Sequence, residues 1–218
     1  MDQDGRSLTR MTEPILLPGG RDVRASLDTA ADDGTHADAV VVACPPHPQH
    51  RGHRGDERLV AVSDAVTARG VDCLRFDYGA WDEGYGESTD ADTAVTWAAE
   101  QYNHVALFGF SFGGTIALVT ATAHPGLAGV SALAPTARLN PDVDAVDAIP
   151  NLADAGIPTQ VCYATRDTTA DWTPVVEQST DSGVETVAFD ADHFFVGQAG
   201  DVAKTVAAFL IASLETDE

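Results

Sequence analysis

The chain has 218 residues, of which 44% are hydrophobic, and its 34 Asp and Glu residues outweigh 12 Lys and Arg residues to give a net charge of −22. This charge argues against nucleic-acid binding because the chain repels phosphate, and no apolar run is long enough to span a membrane. The hydrophobic content predicts a folded protein rather than a disordered acidic chain, and we interpret the acidity as an adaptation to high salt.

The length fits a single domain over residues 1–218. The N-terminal residues lack the apolar core of a signal peptide, so we expect a cytoplasmic protein. The three cysteines, Cys44, Cys73 and Cys162, stand singly in predicted strands. Their odd number and scattered spacing favour small buried side chains over disulfides or a cysteine metal site.

Strand and helix patterns alternate from residue 39 to the C-terminus, after an initial hairpin predicted over 13–18 and 22–28. The strands are predicted at 39–43, 71–76, 105–108, 127–133, 159–164 and 185–189. The helices are predicted at 56–69, from Ser88 or Asp90 to Tyr102, from Thr115 onward, and at 171–178 and 198–214. The segment 134–156 interrupts the alternation and forms at most a small lid. This pattern predicts an α/β fold, with a mostly parallel sheet of about eight strands and helices on both faces.

A serine stands at the sharpest turn of this pattern. The run Gly109-Phe110-Ser111-Phe112-Gly113-Gly114 joins a buried strand to an apolar helix. A G-x-S-x-G sequence between a strand and a helix is typical of a nucleophile elbow. Gly109 and Gly113 then serve positions where the backbone packs too closely for a Cβ. The other interpretation is a glycine-rich turn whose serine merely caps the helix.

An elbow serine needs a base, and the base needs an orienting carboxylate. His193 follows the last predicted strand, on the edge of the sheet where the elbow lies, whereas His104 and His124 belong to the opposite edge. Asp167 follows the preceding strand and gives the order Ser111, Asp167, His193, which is the order of this fold. The structural alternative for His193 is burial against Phe194 and Phe195.

Two other acids compete for the orienting position. Asp171 precedes Trp172 and has the character of a helix N-cap, so we favour Asp167 over it. Asp192, beside the histidine, is interpreted as an ordinary solvated acid.

A reaction through an oxyanion needs two hydrogen-bond donors. The backbone N–H of Phe112 is one candidate because it begins a helix. The other should come from the loop Cys44-Pro45-Pro46-His47-Pro48-Gln49, where prolines lack an N–H and leave His47 as the donor inside the cluster. Gln49 stays open as an alternative.

The sequence favours no cofactor. His47, His50 and His53 have a spacing that invites a metal site, but prolines and Gly52 make this segment a loop, and no carboxylate or cysteine completes a ligand set. No Walker A motif is present, and the glycines at 109–114 lack the dinucleotide-binding spacing.

At this point the chain resembles the α/β-hydrolase superfamily over nearly its whole length, and more narrowly the small dienelactone-hydrolase-like proteins with a C-x-P-H-P-type loop. The matching segments are CPPHP (44–48), DEGYGE (82–87), GFSFGG (109–114), TRD (165–167) and ADHFF (191–195). The resemblance implies Ser111 as nucleophile, His193 as base and Asp167 as orienter. The chain departs from similar proteins in lacking a longer arginine-containing stretch after the fourth strand and in having Pro45 where histidine is commoner.

These features predict a serine hydrolase that acts on small-molecule carboxylic esters or thioesters of small to medium acyl groups. The alternative from another class is a non-catalytic member of the fold that binds a ligand or a partner, which a cleft blocked by Trp81, Tyr85 or Trp172 would favour. Acyl transfer to an alcohol is a third interpretation that the sequence does not separate from hydrolysis.

Overall fold

A twisted sheet of eight strands forms the centre of the molecule in the computed structural model, which describes residues 11–19, 21–31 and 35–215. Its strands follow the order β1-β2-β4-β3-β5-β6-β9-β10. The strands are β1 (Met11–Leu16), β2 (Arg24–Thr29), β3 (Ala39–Cys44), β4 (Asp72–Phe76), β5 (His104–Phe110), β6 (Gly129–Leu133), β9 (Thr159–Ala164) and β10 (Glu185–Phe189), with β7 (Arg138–Asn140) and β8 (Val143–Asp144) in a separate ribbon. The predicted α/β architecture is confirmed.

Strands β3 to β6, β9 and β10 run parallel, whereas β1 and β2 add antiparallel strands at one edge. This edge is the predicted hairpin, although Gly20 in its turn lies outside the described residues. Because the six parallel strands point the same way, the loops after them meet at one edge of the sheet.

Helices cover both faces of the sheet. They are α1 (Glu57–Thr67), α2 (Tyr85–Gln101), α3 (Phe112–Ala121), α4 (Ala145–Asp154), α5 (Thr173–Asp181) and α6 (Ala199–Leu214). Helices α1 and α6 pack on one face, and α2 to α5 supply the core of the other. Neighbouring residues of β3 alternate between these two cores, Val40 on one side and Val41 on the other. This alternation explains why the strands are apolar throughout.

Helix α2 begins earlier than the sequence predicted. Its N-cap is Gly84, at a φ of 96°, four residues before Ser88 and six residues before Asp90. The buried Glu87 carboxylate accepts hydrogen bonds from the N–H groups of Gly84 at 2.8 Å and Asp82 at 3.0 Å. A glutamate in the first turn therefore pairs the N–H groups of the N-cap residue and of the turn before it, which helps to fix the start of the helix.

The segment 134–156 forms the β7–β8 ribbon followed by α4. Helix α4 packs beside α3 and α5 in the helical layer, and Leu139 of the ribbon reaches the cleft described below. The three cysteines are buried and form no disulfide, as predicted. No helix within residues 11–19, 21–31 and 35–215 combines the length and apolar character that crossing a bilayer requires.

Candidate active site

Ser111 lies at the turn between β5 and α3, in a conformation that few residues other than glycine adopt. Its φ is 57° and its ψ is −120°, and such strain in a non-glycine residue is typical of functional turns. A Cβ on Gly109 would lie 2.0 Å from the carbonyl oxygen of Gly113, and one on Gly113 would lie 2.3 Å from that of Cys44. The two glycines thus allow the tight turn that exposes the serine hydroxyl.

The structure brings the three predicted triad side chains together. Ser111 Oγ lies 2.9 Å from His193 Nε2, and His193 Nδ1 lies 2.6 Å from Asp167 Oδ2. Nδ1–H donates to the carboxylate, which leaves the Nε2 lone pair to accept the serine proton. These contacts have the geometry of a nucleophile, a general base and an orienting group.

The Asp167 carboxylate is held from both sides. Its Oδ1 accepts hydrogen bonds from the N–H groups of Thr169 at 2.7 Å and Ala170 at 3.0 Å, which frees Oδ2 for His193. Because these donors belong to the same loop after β9, the carboxylate is oriented before any substrate arrives.

The two competing acids lie elsewhere. The sequence suggested that Asp171 is a helix N-cap, but α5 begins one residue later and its N-cap is Trp172. The Asp171 backbone instead contacts Thr136 and Ala137. Asp192 is exposed and accepts a hydrogen bond from the Phe194 N–H at 3.0 Å.

The imidazole of His193 is 5% exposed and packs against aromatic rings. The Phe110 ring is tilted against it at 5.5 Å, and the Phe194 ring stands edge-on at 5.3 Å. His193 is therefore buried, as its structural interpretation required, and it also contacts Ser111 and Asp167.

The two residues predicted to supply oxyanion donors, Phe112 and His47, line the same cleft as Ser111. Phe112 is the first residue of α3, so its N–H is one of those that a helix leaves unpaired. His47 borders the same cleft. The Gln49 N–H, the alternative donor, already donates to His47 Nδ1 at 3.2 Å. The Gln49 N–H is thus engaged within the loop, and His47 stays the predicted second donor.

A stack of rings fixes the position of His47. Its imidazole lies 4.7 Å from the Trp81 ring, 4.5 Å from the His50 ring and 4.9 Å from the Phe112 ring. Burial lowers the pKa of His47, and the neighbouring His50 lowers it further. A neutral imidazole can keep Nδ1 free to accept the Gln49 N–H, and this bond fixes the loop that presents the His47 backbone.

The histidines of the proline-rich loop do not converge on one point. His47 and His50 stack on each other, whereas His53 Nδ1 accepts the N–H of Gly55 at 2.9 Å. Within the described part of the chain, no group of three or more His, Cys, Asp or Glu side chains is placed to hold a metal ion.

The serine opens into a cleft with a volume of about 480 Å³. Ser111 is surrounded by the loop after β3 with the start of α1, the residues around the β7–β8 ribbon, the loop after β9 and the loop after β10. The lining residues include His47, Gly52, Thr136, Leu139, Arg58 and Phe194.

Trp81, Tyr85 and Trp172 could have blocked the cleft, but none of them is among its lining residues in the described chain. Trp81 stacks on His47, and Tyr85 is exposed at the start of α2. Trp172 stacks on Tyr163 at 5.0 Å, and its Nε1–H donates to the Asp167 carbonyl. The cleft is therefore open to a small ligand.

Sequence reasoning missed Arg58 as a cleft residue. Its guanidinium lies 4.5 Å from the Phe110 ring centroid, pairs with Asp56 at 2.6 Å and donates to the Phe194 carbonyl at 3.3 Å. No motif marks this residue, because its place in the cleft depends on how α1 packs beside β5. The cleft residues that did carry a signal in the sequence lie in the glycine and proline loops and directly after the predicted strands.

Comparisons with known proteins agree with this architecture. The X-Pro dipeptidyl-peptidase family (S15) matches residues 75–148, which include Ser111 but neither Asp167 nor His193. Comparison with curated proteins found no significant match.

Solved structures resemble the chain over nearly its full length. An α/β serine hydrolase without a lid from Xanthomonas campestris has a TM-score of 0.76 at 20% identity and covers 95% of this chain and 97% of its own. An esterase from Pyrococcus furiosus has a TM-score of 0.76 at 16% identity, covering 95% and 94%. A dienelactone hydrolase from Anabaena variabilis has a TM-score of 0.73 at 19% identity, covering 94% and 99%.

At these identities the likeness establishes architecture rather than substrate. The sheet order, the elbow at the end of β5 and these structural neighbours together identify the chain as a protein of the α/β-hydrolase fold.

Proposed function

We propose that this chain is a serine hydrolase that cleaves carboxylic esters or thioesters of small to medium acyl groups through an acyl-enzyme. The observation that carries the proposal is the hydrogen-bonded series from Asp167 through His193 to Ser111, which ends at an open cleft. A serine that only capped a helix would need neither the strained backbone nor the buried imidazole.

The first half of the reaction follows from this geometry. Ser111 Oγ attacks the substrate carbonyl carbon while His193 Nε2 takes the hydroxyl proton, and Asp167 stabilises the imidazolium that forms. The carbonyl oxygen becomes an oxyanion that the N–H groups of Phe112 and His47 stabilise. When the tetrahedral intermediate collapses, the bond to the alcohol or thiol breaks and His193 returns the proton to that leaving group.

Water completes the cycle at the same site. His193 takes a proton from a water molecule, whose oxygen attacks the acyl-enzyme, and the acid is released as Ser111 recovers its proton. An alcohol in place of water would give acyl transfer, so the product distribution in mixed water and alcohol separates the two reactions.

The hydrogen-bonded serine hydroxyl in this cleft favours an enzyme over a non-catalytic binding protein. A volume of about 480 Å³ falls within the range of small-molecule sites, and a pure binding site has no need of an activated hydroxyl. The match to X-Pro dipeptidyl-peptidases over residues 75–148 makes an X-Pro dipeptide anilide the appropriate second substrate class for an assay.

Covalent labelling tests the proposal directly. A fluorophosphonate probe in molar salt should label the wild-type protein at Ser111, and Ser111→Ala should abolish labelling and ester hydrolysis. Ser182→Ala, at the C-terminal end of α5, is the matched control and should label normally. An unlabelled wild-type protein that hydrolyses no p-nitrophenyl ester of any chain length would contradict the proposal, and preferential cleavage of the anilide would redirect it to a peptidase.

A further inference from the structure

The two phenylalanines after the catalytic-site histidine point in opposite directions. Phe195 is 1% exposed and packs against Phe189 at 5.6 Å and Phe110 at 6.4 Å. Phe194 is 54% exposed. The chain turns between them because Phe195 has a φ of 51°, a conformation that is costly for a bulky side chain. The turn buries one ring and leaves the other at the cleft.

The backbone of Phe194 is fixed although its ring is exposed. Its N–H donates to Asp192 Oδ1 at 3.0 Å, and its carbonyl accepts a hydrogen bond from Arg58 Nη1 at 3.3 Å. Arg58 is itself held by Asp56 and by the face of the Phe110 ring. An apolar ring on a fixed backbone loses little freedom when a ligand covers it, which favours binding.

The ring lies beside the imidazole that must protonate the leaving group. His193 Nε2 donates its proton to the departing oxygen or sulfur, so that atom lies about 3 Å from Nε2 during the reaction. The Phe194 ring centroid lies 5.3 Å from the imidazole centroid, and both side chains line the cleft. A carbon chain attached to the departing atom therefore lies within contact distance of Phe194.

We propose that Phe194 is a specificity-determining residue that binds the apolar alcohol or thiol portion of the substrate. This inference rests on the proposed hydrolase function and narrows its substrate class to esters or thioesters with an apolar leaving group. Burial of the exposed ring surface against an alkyl or aryl group supplies the binding free energy.

Two ester series test the role of the ring. The first varies the alcohol at a constant acetyl group, from methyl through butyl to benzyl acetate, and the second varies the acyl group at a constant butyl alcohol. In Phe194→Ala, kcat/KM should fall about tenfold for butyl and benzyl acetate and stay near wild type for methyl acetate. Phe194→Leu should retain most of the preference because leucine keeps an apolar surface. In the second series the loss should be the same for every acyl length.

A neighbouring residue supplies the control. Val196 is 76% exposed and does not line the cleft within the described chain, so Val196→Ala should leave both series unchanged. An equal loss on methyl and benzyl acetate, a loss that grows with acyl length, or an unchanged preference in Phe194→Ala would each overturn the inference.

The hydrolase proposal is tested apart from the role of Phe194. Wild-type protein that labels with fluorophosphonate but shows no alcohol preference would overturn only the role of Phe194. A wild-type protein that neither labels nor hydrolyses any ester would overturn both.

Discussion

Asp167 and Asp28 are both buried carboxylates in networks of hydrogen bonds, yet the two networks end differently. Asp28 Oδ2 accepts hydrogen bonds from Ser63 Oγ at 2.6 Å and Arg75 Nε at 2.7 Å, and its Oδ1 accepts one from Thr12 at 2.7 Å. Every one of these partners lies inside the protein or at its edge strand, and one of them is a permanent cation. This network ties β1, β2, β4 and α1 together.

The Asp167 network has an open end. It starts from two backbone N–H groups and passes through His193 to Ser111 Oγ at the cleft. The imidazole carries a positive charge only when it has taken a proton, so in the proposed reaction the carboxylate would stabilise a charge that appears when His193 accepts the serine proton. Burial and hydrogen bonding alone therefore do not distinguish the two carboxylates. Of the two networks, that of Asp167 is the one that reaches a side chain lining the cleft.

Disrupting the Asp167 network at the carboxylate itself should have the largest effect on activity. Asp167→Asn keeps the shape of the side chain but cannot hold His193 in the tautomer that accepts the serine proton. We expect kcat for ester hydrolysis to fall about 10⁴-fold, with the melting temperature nearly unchanged. Stopped assays on a p-nitrophenyl ester, with Asp192→Asn as the matched control, measure this effect. A loss below about tenfold would show that another group orients the imidazole.

Breaking the closed network should reverse the pattern. Asp28→Asn leaves the Arg75 guanidinium buried without its charged partner, and we expect a loss of about 3–5 kcal/mol in the free energy of unfolding. The folded fraction should keep its kcat. Denaturant titration in molar salt measures the loss, and the double variant Asp28→Asn with Arg75→Met should recover part of it because no charge is then left unpaired.

The pH dependence of the stability loss in Asp28→Asn tests whether the charge of the Asp28 carboxylate causes it. Burial acts to raise the pKa of Asp28, but the hydrogen bonds from Arg75, Ser63 and Thr12 outweigh burial and lower the pKa below its ordinary value of 3.8. A lowered pKa in the folded state stabilises the protein above the ordinary value, and this contribution is lost as the pH falls through the lowered one. The stability difference from wild type should therefore be constant near neutrality and shrink only below the ordinary value. A difference that grows on acidification would contradict the assignment.

A smaller loss should follow from removing one oxyanion donor at the open end. His47 has a φ of −54°, which proline can adopt, so His47→Pro deletes the N–H without forcing the backbone. His47→Ala deletes the same ring but keeps the N–H. We expect kcat to be about 10²–10³-fold lower in His47→Pro than in His47→Ala. Equal rates in the two variants would place the second donor elsewhere, with Gln49 the first candidate.

The exposed carboxylates form a third group. Screening the repulsion among them should change the melting temperature least per residue. We propose that the net charge of −22 destabilises the compact state in dilute buffer and that salt screens this repulsion. Each kcal/mol recovered by screening should raise the melting temperature by about 2–4 °C in a chain of this size. Sucrose is the control, because it favours compactness without screening charge. A melting temperature that molar salt leaves unchanged would refute the adaptation.

The sequence determined the fold and the positions from which a site is built. Apolar runs of strand length alternating with amphipathic helices can bury their surfaces only as a layered sheet, and the predicted strands 159–164 and 185–189 coincide with β9 and β10. Gly109 and Gly113 marked the turn because a Cβ would collide with backbone there. These features are local, since each depends on neighbouring residues in the chain.

The starts of two helices were predicted wrongly from the sequence. Helix α2 starts at Tyr85 because Glu87 turns back onto the N–H of Gly84, although Ser88 and Asp90 are the more usual capping residue types. The start of α5 likewise falls after Trp172 rather than at Asp171. Element boundaries depend on which of several polar side chains reaches the first free N–H, and the sequence does not state that choice.

Only the tertiary structure decided which side chains of the loops after the strands touch. The sequence favoured Asp167 over Asp171, but the contact of Asp167 with His193, and the exposed ring of Phe194 beside a buried Phe195, depend on the directions of side chains across loops far apart in the chain. Those directions are set when the sheet brings the ends of β3, β5, β9 and β10 to one edge. The composition and spacing of the residues therefore predicted where chemistry could occur, and packing determined which atoms meet there.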